Sequence, residues 1–168
     1  MNKFKLILFS SVIASLFSGC IDRVEYDGCH ELKYISFDKL RKNYPAIKAP
    51  REIDKAGKIY VYKNIIFVNE KNKGIHVVDN TVKETPIRKK FIEIPGNIDI
   101  AVKGGYLYAD SYTDLVILDV RDIENIKVVN RKEKVFPYDM FQSLTKEEQK
   151  KYICNVEPEK GVVVGIEK

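Results

Sequence analysis

Lys58-Ile59-Tyr60-Val61-Tyr62, Ile65-Ile66-Phe67-Val68-Asn69 and Ile75-His76-Val77-Val78-Asp79 are the runs whose reading decides the fold class. Each is short and rich in β-branched and aromatic side chains, which fit a pleated, half-buried surface. Lys63-Asn64 and Glu70-Lys71-Asn72-Lys73-Gly74 supply polar breaks between them. Short apolar runs between such breaks read as strands of an antiparallel meander.

The same order returns forty positions later. Val102-Lys103-Gly104-Gly105 matches Tyr62-Lys63-Asn64-Ile65, and Leu115-Val116-Ile117-Leu118-Asp119 matches Ile75-His76-Val77-Val78-Asp79. Lys63/Lys103, Asp79/Asp119 and Glu93/Glu133 are identical at this spacing, and Phe67/Leu107 keeps apolar character. Residues 90–94 and 127–135 supply a fourth strand to each unit. A period near forty with four strands is the spacing of a propeller blade. The expectation is an all-β chain with two four-stranded propeller-like blades over residues 57–137 and a partial third beginning at 160–168. Asp79 and Asp119 each close a strand, where an Asp can accept from the backbone two residues on.

Outside the repeats, Ser36 is placed to cap a short helix over residues 36–43, and Pro45 and Pro50 stop anything longer. Thr145-Lys146-Glu147-Glu148 reads as a capping box that opens a second short helix over residues 146–153. Residues 20–56 are then an N-terminal tether with the first helix, and 138–159 an insertion carrying the second. Residues 160–166 look like the first strand of a further repeat. Two units and one strand cannot close a ring. Open sheet edges invite self-association, and stacked repeats depend on neighbours for stability. The isolated mature chain is therefore expected to be marginally stable or to self-associate.

The N-terminus is a targeting segment. Residues 1–5 carry two lysines and no acid, and residues 6–17 are mostly Leu, Ile, Val, Phe, Ala and Ser. A helix of that length reaches about 18 Å, short of the roughly 30 Å bilayer core. Leu16-Phe17-Ser18-Gly19-Cys20 resembles the lipobox of bacterial lipoproteins, with Phe17 where that pattern usually has Leu. The resemblance makes residues 1–19 a lipoprotein signal peptide and Cys20 the lipidated residue, anchoring the chain to a membrane. Ile21, rather than Asp, follows the cysteine. Sorting rules of some Gram-negative envelopes then favour the outer over the inner membrane.

Loss of residues 1–19 leaves 27 basic and 24 acidic side chains, a net +3. So small an excess argues against nucleic acid as a partner. Cys29 and Cys154 remain as an even pair in an oxidising compartment. A disulfide and two independent thiols are both open readings.

Tyr112-Thr113-Asp114-Leu115-Val116-Ile117-Leu118-Asp119 resembles the repeat of the LVIVD family, bacterial propeller-like surface proteins. Pro50-Arg51-Glu52-Ile53, Lys73-Gly74-Ile75-His76-Val77, Ile94-Pro95-Gly96-Asn97 and Lys160-Gly161-Val162-Val163-Val164-Gly165 extend the resemblance to the lipoprotein branch over roughly residues 36–166. It implies a lipid-anchored envelope protein and supplies no catalytic residues. Members of the family continue through further repeats, so the chain reads as a truncated relative unless another chain supplies the contacts or the domain closes differently.

Residues suited to catalysis are few. There are two histidines, and no nucleophile elbow, phosphate loop or zinc pair occurs. His76 sits in a strand beside Val77 and reads as a packed or edge histidine. Cys29-His30 would need Cys154 to make a metal site, so no metal or other cofactor is expected. Asp110-Ser111-Tyr112-Thr113-Asp114 offers too few oxygens for calcium and reads as turn chemistry. Tyr106 and Tyr108 share a strand face and Tyr112 lies nearby. Core packing is the favoured reading, and an aromatic surface for a protein or glycan ligand the other. The leading functional expectation is a non-enzymatic interaction or structural module. The alternative is an envelope hydrolase or lyase using the loop carboxylates Asp110 and Asp114.

Overall fold

The computed structural model describes residues 28–151 and 153–167; the signal segment and Cys20 lie outside the described residues. From the N-terminus come β1 (Leu32–Ile35), α1 (Phe37–Asn43) and β2 (Ala46–Lys48). β3 (Ala56–Tyr62), β4 (Ile65–Glu70), β5 (Gly74–Asp79) and β6 (Ile87–Glu93) follow. Then come β7 (Ile100–Lys103), β8 (Tyr106–Ser111), β9 (Asp114–Asp119), β10 (Lys127–Lys132) and β11 (Val162–Ile166). The chain is all-β. Sheet I has five antiparallel strands in the order β2-β6-β5-β4-β3, sheet II four in the order β10-β9-β8-β7, and β1 pairs with β11 in a separate ribbon.

Strand alternation gives each large sheet two faces. The inner face of sheet I carries Phe67, Ile75, Val77 and Ile92. It packs on Ile100, Val102, Leu107, Ala109, Val116 and Leu118 of sheet II, and this is the main core. β3 and β7 lie side by side, where the Tyr60 hydroxyl donates to the Val102 carbonyl at 3.0 Å and Lys58 Nζ meets Asp99 at 2.5 Å.

Gly74, which opens β5, has φ +144°, and an added Cβ would lie 2.0 Å from the Ile92 carbonyl oxygen. Only a residue without a side chain lets β5 approach β6 so closely there.

The repeat is real, but its register differs from a uniform spacing of forty. Tyr62 pairs with Ile65, and Lys103 pairs with Tyr106, so the first hairpins match at an offset of forty-one. Between β4 and β5 three residues intervene, 71–73; between β8 and β9 only two do, 112–113. After that deletion Asp79 pairs with Ile65 and Asp119 with Tyr106, an offset of forty. Tyr108 therefore corresponds to Phe67, and Leu107 to Ile66. The matches Lys63/Lys103 and Phe67/Leu107 fail, because a one-residue slip moves a side chain to the opposite face. Beyond the hairpin the spacing of forty holds, down to a register shift at the same place in both units, between Val77 and Val78 and opposite residues 128–130.

The ends of the chain also depart from expectation. β11 does not open a further repeat. It runs antiparallel to β1, with Leu32 opposite Ile166 and Ile35 opposite Val162. The segment before the repeats is likewise more than a tether, since β2 adds to sheet I beside β6. Ser36 caps α1 by accepting from the Lys39 amide at 3.2 Å.

The capping box forms in both directions, Thr145 N–H to Glu148 at 2.8 Å and Glu148 N–H to Thr145 Oγ1 at 3.1 Å. What it opens is a single 3-10 turn, Glu148–Lys150, instead of a helix over 146–153. One turn repays little of the cost of helix nucleation, and no residue of this one is buried. The fourth strands fall at Ile87–Glu93 and Lys127–Lys132, shifted from 90–94 and shortened from 127–135.

Cys29 and Cys154 form a disulfide. Beside it the Cys154 amide donates to the His30 carbonyl at 3.1 Å, so both ends of the described chain are held at one place.

Candidate functional site

The deepest polar cluster lies on the outer face of sheet I. Val68, Glu70, His76, Val78 and Phe91 alternate out of the core, and the segment 49–55 crosses over them. Glu70 ends β4 almost fully buried. It accepts from Arg51 at 2.9 Å, Lys73 at 2.7 Å and His76 Nε2 at 2.8 Å. Arg51 also stacks on the Phe91 ring, its guanidinium carbon 4.0 Å from the centroid. Burial pushes the Glu70 carboxyl up. The Lys73 and His76 hydrogen bonds and the Arg51 charge outweigh it, and the group is held at about 2 against an ordinary 4.5.

An ionised carboxylate only accepts, so Nε2 is the protonated nitrogen of His76. Its Nδ1 is buried and has no partner among the described residues. The reading of His76 as a packed strand residue fits its placement, but a buried Glu-His pair was not legible. Glu70 sits six residues away across a hairpin, and only the β4–β5 register brings the two together.

A cleft of about 430 Å³ adjoins this cluster, lined by Pro50, Arg51, Glu52, Pro86, Ile87 and Arg88. His76 does not line it. The cleft's arginines are engaged, Arg51 with Glu70 and Arg88 with Glu52.

The two carboxylates of the enzymatic alternative are not brought together. Ser111 pairs with Asp114 and Asp110 with Leu115, which puts Asp114 on the inner face of sheet II and Asp110 on the outer. Asp110 Oδ1 accepts from the Ile98 and Asp99 amides at 2.9 Å each and from Asn97 at 2.8 Å, fixing the chain into β7. Desolvation raises its pKa against these bonds. Asp114 is fully buried. It takes Arg41 at 2.9 and 3.2 Å, Arg131 at 2.9 Å and the Lys134 amide at 3.1 Å. Burial raises its pKa; the Arg41, Lys134 and Arg131 hydrogen bonds more than offset this, and the net shift is downward.

Asp79 and Asp119 act as turn residues, accepting from the Thr81 and Arg121 amides two positions on. Tyr112 is buried and its hydroxyl bonds Ser143 at 2.7 Å. Tyr106 and Tyr108 stay half-buried on the outer face of sheet II, Tyr106 beneath Arg121.

Among the described residues no group of three or more His, Cys, Asp or Glu is arranged to hold a metal ion. The Cys29-His30-Cys154 reading fails because both sulfurs are in the disulfide. Among the same residues no helix is long and apolar enough to cross a membrane. Comparison with known protein families, with curated proteins and with solved structures finds no match.

Proposed function

We propose that the chain is a lipid-anchored cell-envelope protein whose folded part is a non-enzymatic interaction or structural module, propeller-like and of the LVIVD kind. The observation that carries this reading is the fate of the buried carboxylates. Glu70 is held by Arg51, Lys73 and His76, and Asp114 by Arg41, Arg131 and the Lys134 amide. Asp110, bonded through Oδ1 alone, lies on the face opposite Asp114 and cannot act with it. A general base must reach a substrate proton, and a carboxylate locked by several donors cannot. The outer face of sheet II, with Tyr106 and Tyr108, is the surface left for a protein or glycan ligand. The small net charge of the mature chain gives no reason to invoke nucleic acid.

The anchor is Cys20, reached through residues 1–19 as signal, with the outer membrane favoured over the inner by Ile21. Two or three acyl chains on one residue give stable anchoring, since each buried methylene contributes about 0.8 kcal/mol. Labelling with a fatty-acid analogue tests this. Cys20→Ala is expected to lose the label and leave the membrane fraction. A variant that stays there after a high-salt wash refutes the anchor. For the non-enzymatic half, a broad activity screen is run with Asp110→Asn and Asp114→Asn as controls. Robust turnover that both substitutions abolish refutes it.

A further inference from the structure

Strand register lays out the outer face of sheet II in rows. Lys103, Tyr106, Asp119 and Lys127 form one row, with Arg121 over the Tyr106 ring. Ala101, Tyr108, Ile117 and Asn130 form the next, and Asp110, Leu115 and Lys132 the last. A cleft of about 370 Å³ opens at Ala101, Tyr108, Asp110 and Leu115, and Asp99 and Phe136 stand at its sides. That volume lies within the roughly 300–1,000 Å³ of small-molecule sites.

Two features of the cleft point to a ligand. The first is Asp110. Its Oδ1 is fixed by the Ile98 and Asp99 amides and by Asn97, whereas its Oδ2 takes no hydrogen bond among the described residues. An ionised carboxylate oxygen only accepts, so this one is oriented and ready for a ligand's O–H or N–H donors. The second is a pair of aromatic rings. Tyr108 and Phe136 both line the cleft, and Phe136 is 39% exposed. Ala101, opposite Tyr108, is too small to cover that ring from the β7 side.

We infer that this cleft binds a neutral saccharide, with a sugar ring stacked on Tyr108 beside Phe136 and its hydroxyls donating to Asp110 Oδ2. The inference rests on the reading of this face as the ligand surface of a non-enzymatic module, and it names the ligand's class. Charge decides that class. The face carries Asp99, Asp110 and Asp119 against Lys103, Arg121, Lys127 and Lys132, so a strongly charged ligand of either sign meets its like. Asp99 is already engaged, by Lys58 at 2.5 Å and by the Ile100 amide at 2.8 Å. An anionic ligand would face Asp110, and a cationic side chain would find one carboxylate oxygen with Lys132 in the same row. One open acceptor beside two rings suits a molecule with apolar C–H faces and hydroxyl donors at its edge, and aromatic side chains match such faces.

The full chain, its disulfide intact, is titrated in mild detergent by calorimetry. The probes are cellotriose, maltotriose, mannotriose and the trimer of N-acetylglucosamine, with trilysine and the trimer of galacturonate as charged comparisons. At least one neutral trimer is expected to bind with a Kd below about 1 mM, more tightly than either charged probe. Asp110→Asn keeps an oxygen for the amides and puts a donor where the open acceptor was. Ala101→Phe, at an exposed position, fills the cleft without touching Asp110. Each is expected to weaken saccharide binding more than about tenfold. Lys127→Ala, at the far end of the same face, is expected to bind as the native chain does. Circular dichroism and thermal melting check that each variant is folded, and Ala101→Phe carries the test alone if Asp110→Asn is not.

Failure of all four neutral trimers to bind below about 1 mM overturns the inference. So does saccharide binding that folded Ala101→Phe leaves intact. Tighter binding of trilysine than of any neutral trimer overturns it too, and leaves the face standing as a surface for protein. Hydrolysis of a bound trimer overturns the non-enzymatic reading instead, while the saccharide assignment stands.

Discussion

Removing the Cys29–Cys154 bridge with a Cys29→Ser/Cys154→Ser double substitution is expected to destabilise the domain without changing its fold. The bridge joins residues 125 apart in sequence. On the chain-entropy relation, closing a loop of that length stabilises by about 5 kcal/mol, by limiting what the unfolded chain can explore. The folded state holds the same ends by other means. β1 pairs with β11, the Glu167 amide donates to the Glu31 carbonyl at 2.9 Å, and the Glu157 amide donates to the Tyr34 hydroxyl at 2.9 Å. The native geometry therefore survives, and the loss lies in the unfolded ensemble.

For a chain of this size about 5 kcal/mol corresponds to a fall of roughly 10–20 °C in Tm. Urea unfolding of oxidised native protein and of the serine pair, read by circular dichroism, gives the difference directly. A change under about 1 kcal/mol would refute the reasoning, since removing a native bridge from a small secreted domain typically costs about 2–5 kcal/mol.

Three further outcomes follow from buried charge and tight backbone. Asp114→Asn removes the counter-charge of Arg41 and Arg131 and is expected to cost about 3 kcal/mol in urea unfolding; no shift in midpoint would show that these arginines need no partner. Glu70 titrates at about 2 when folded and near its ordinary 4.5 when unfolded. The unfolded chain therefore binds more protons between those values, and stability present above pH 4.5 is lost as pH falls toward 2. Glu70→Gln should flatten that part of the acid-unfolding curve, and an unchanged curve would contradict the assignment. Gly74→Ala forces a Cβ against the Ile92 carbonyl at positive φ and should destabilise by more than about 1 kcal/mol, measured by thermal melting; a neutral result would mean that β5 can retreat from β6.

Much of this fold was legible because its signals are local. Alternation and turn residues placed β3 to β5 and β7 to β9, Ser36 marked the start of α1, and Asp79 and Asp119 showed their turn role through the strand ends they close. The register was not, because a deletion between β8 and β9 is masked by the chance identity of Lys63 and Lys103 at forty. A single slip of that kind exchanges inner and outer faces, and it decides which aromatic side chains are open. The β1–β11 pairing was illegible for a different reason. Both strands look like ordinary apolar runs, and nothing in either names a partner more than a hundred residues away. The Glu70, Arg51 and His76 cluster needed the β4–β5 pairing and the crossing of segment 49–55 before its members could meet.

The same register argument changes where the chain is vulnerable. Open edges were the expected hazard, yet the edges are guarded. β10, at one margin of sheet II, is Lys127–Lys132 and carries Lys127, Arg131 and Lys132 on an otherwise exposed strand. β2, at the margin of sheet I, is three residues long. β3 and β7 shield one another through Tyr60 and Lys58. Charged, short or mutually covered edges are the usual means by which sheets avoid pairing with strangers. The outer face of sheet I is covered as well, with Val68, His76, Val78 and Phe91 all buried, and only its β3 margin is open. Ile59 and Val61 project into solvent at that margin, and Tyr106, Tyr108 and Ile117 lie half-covered on the outer face of sheet II, which also carries Lys103 and Lys132. Guarded edges disfavour strand addition, and the relation that joins the two sheets within the chain is the stacking of their faces.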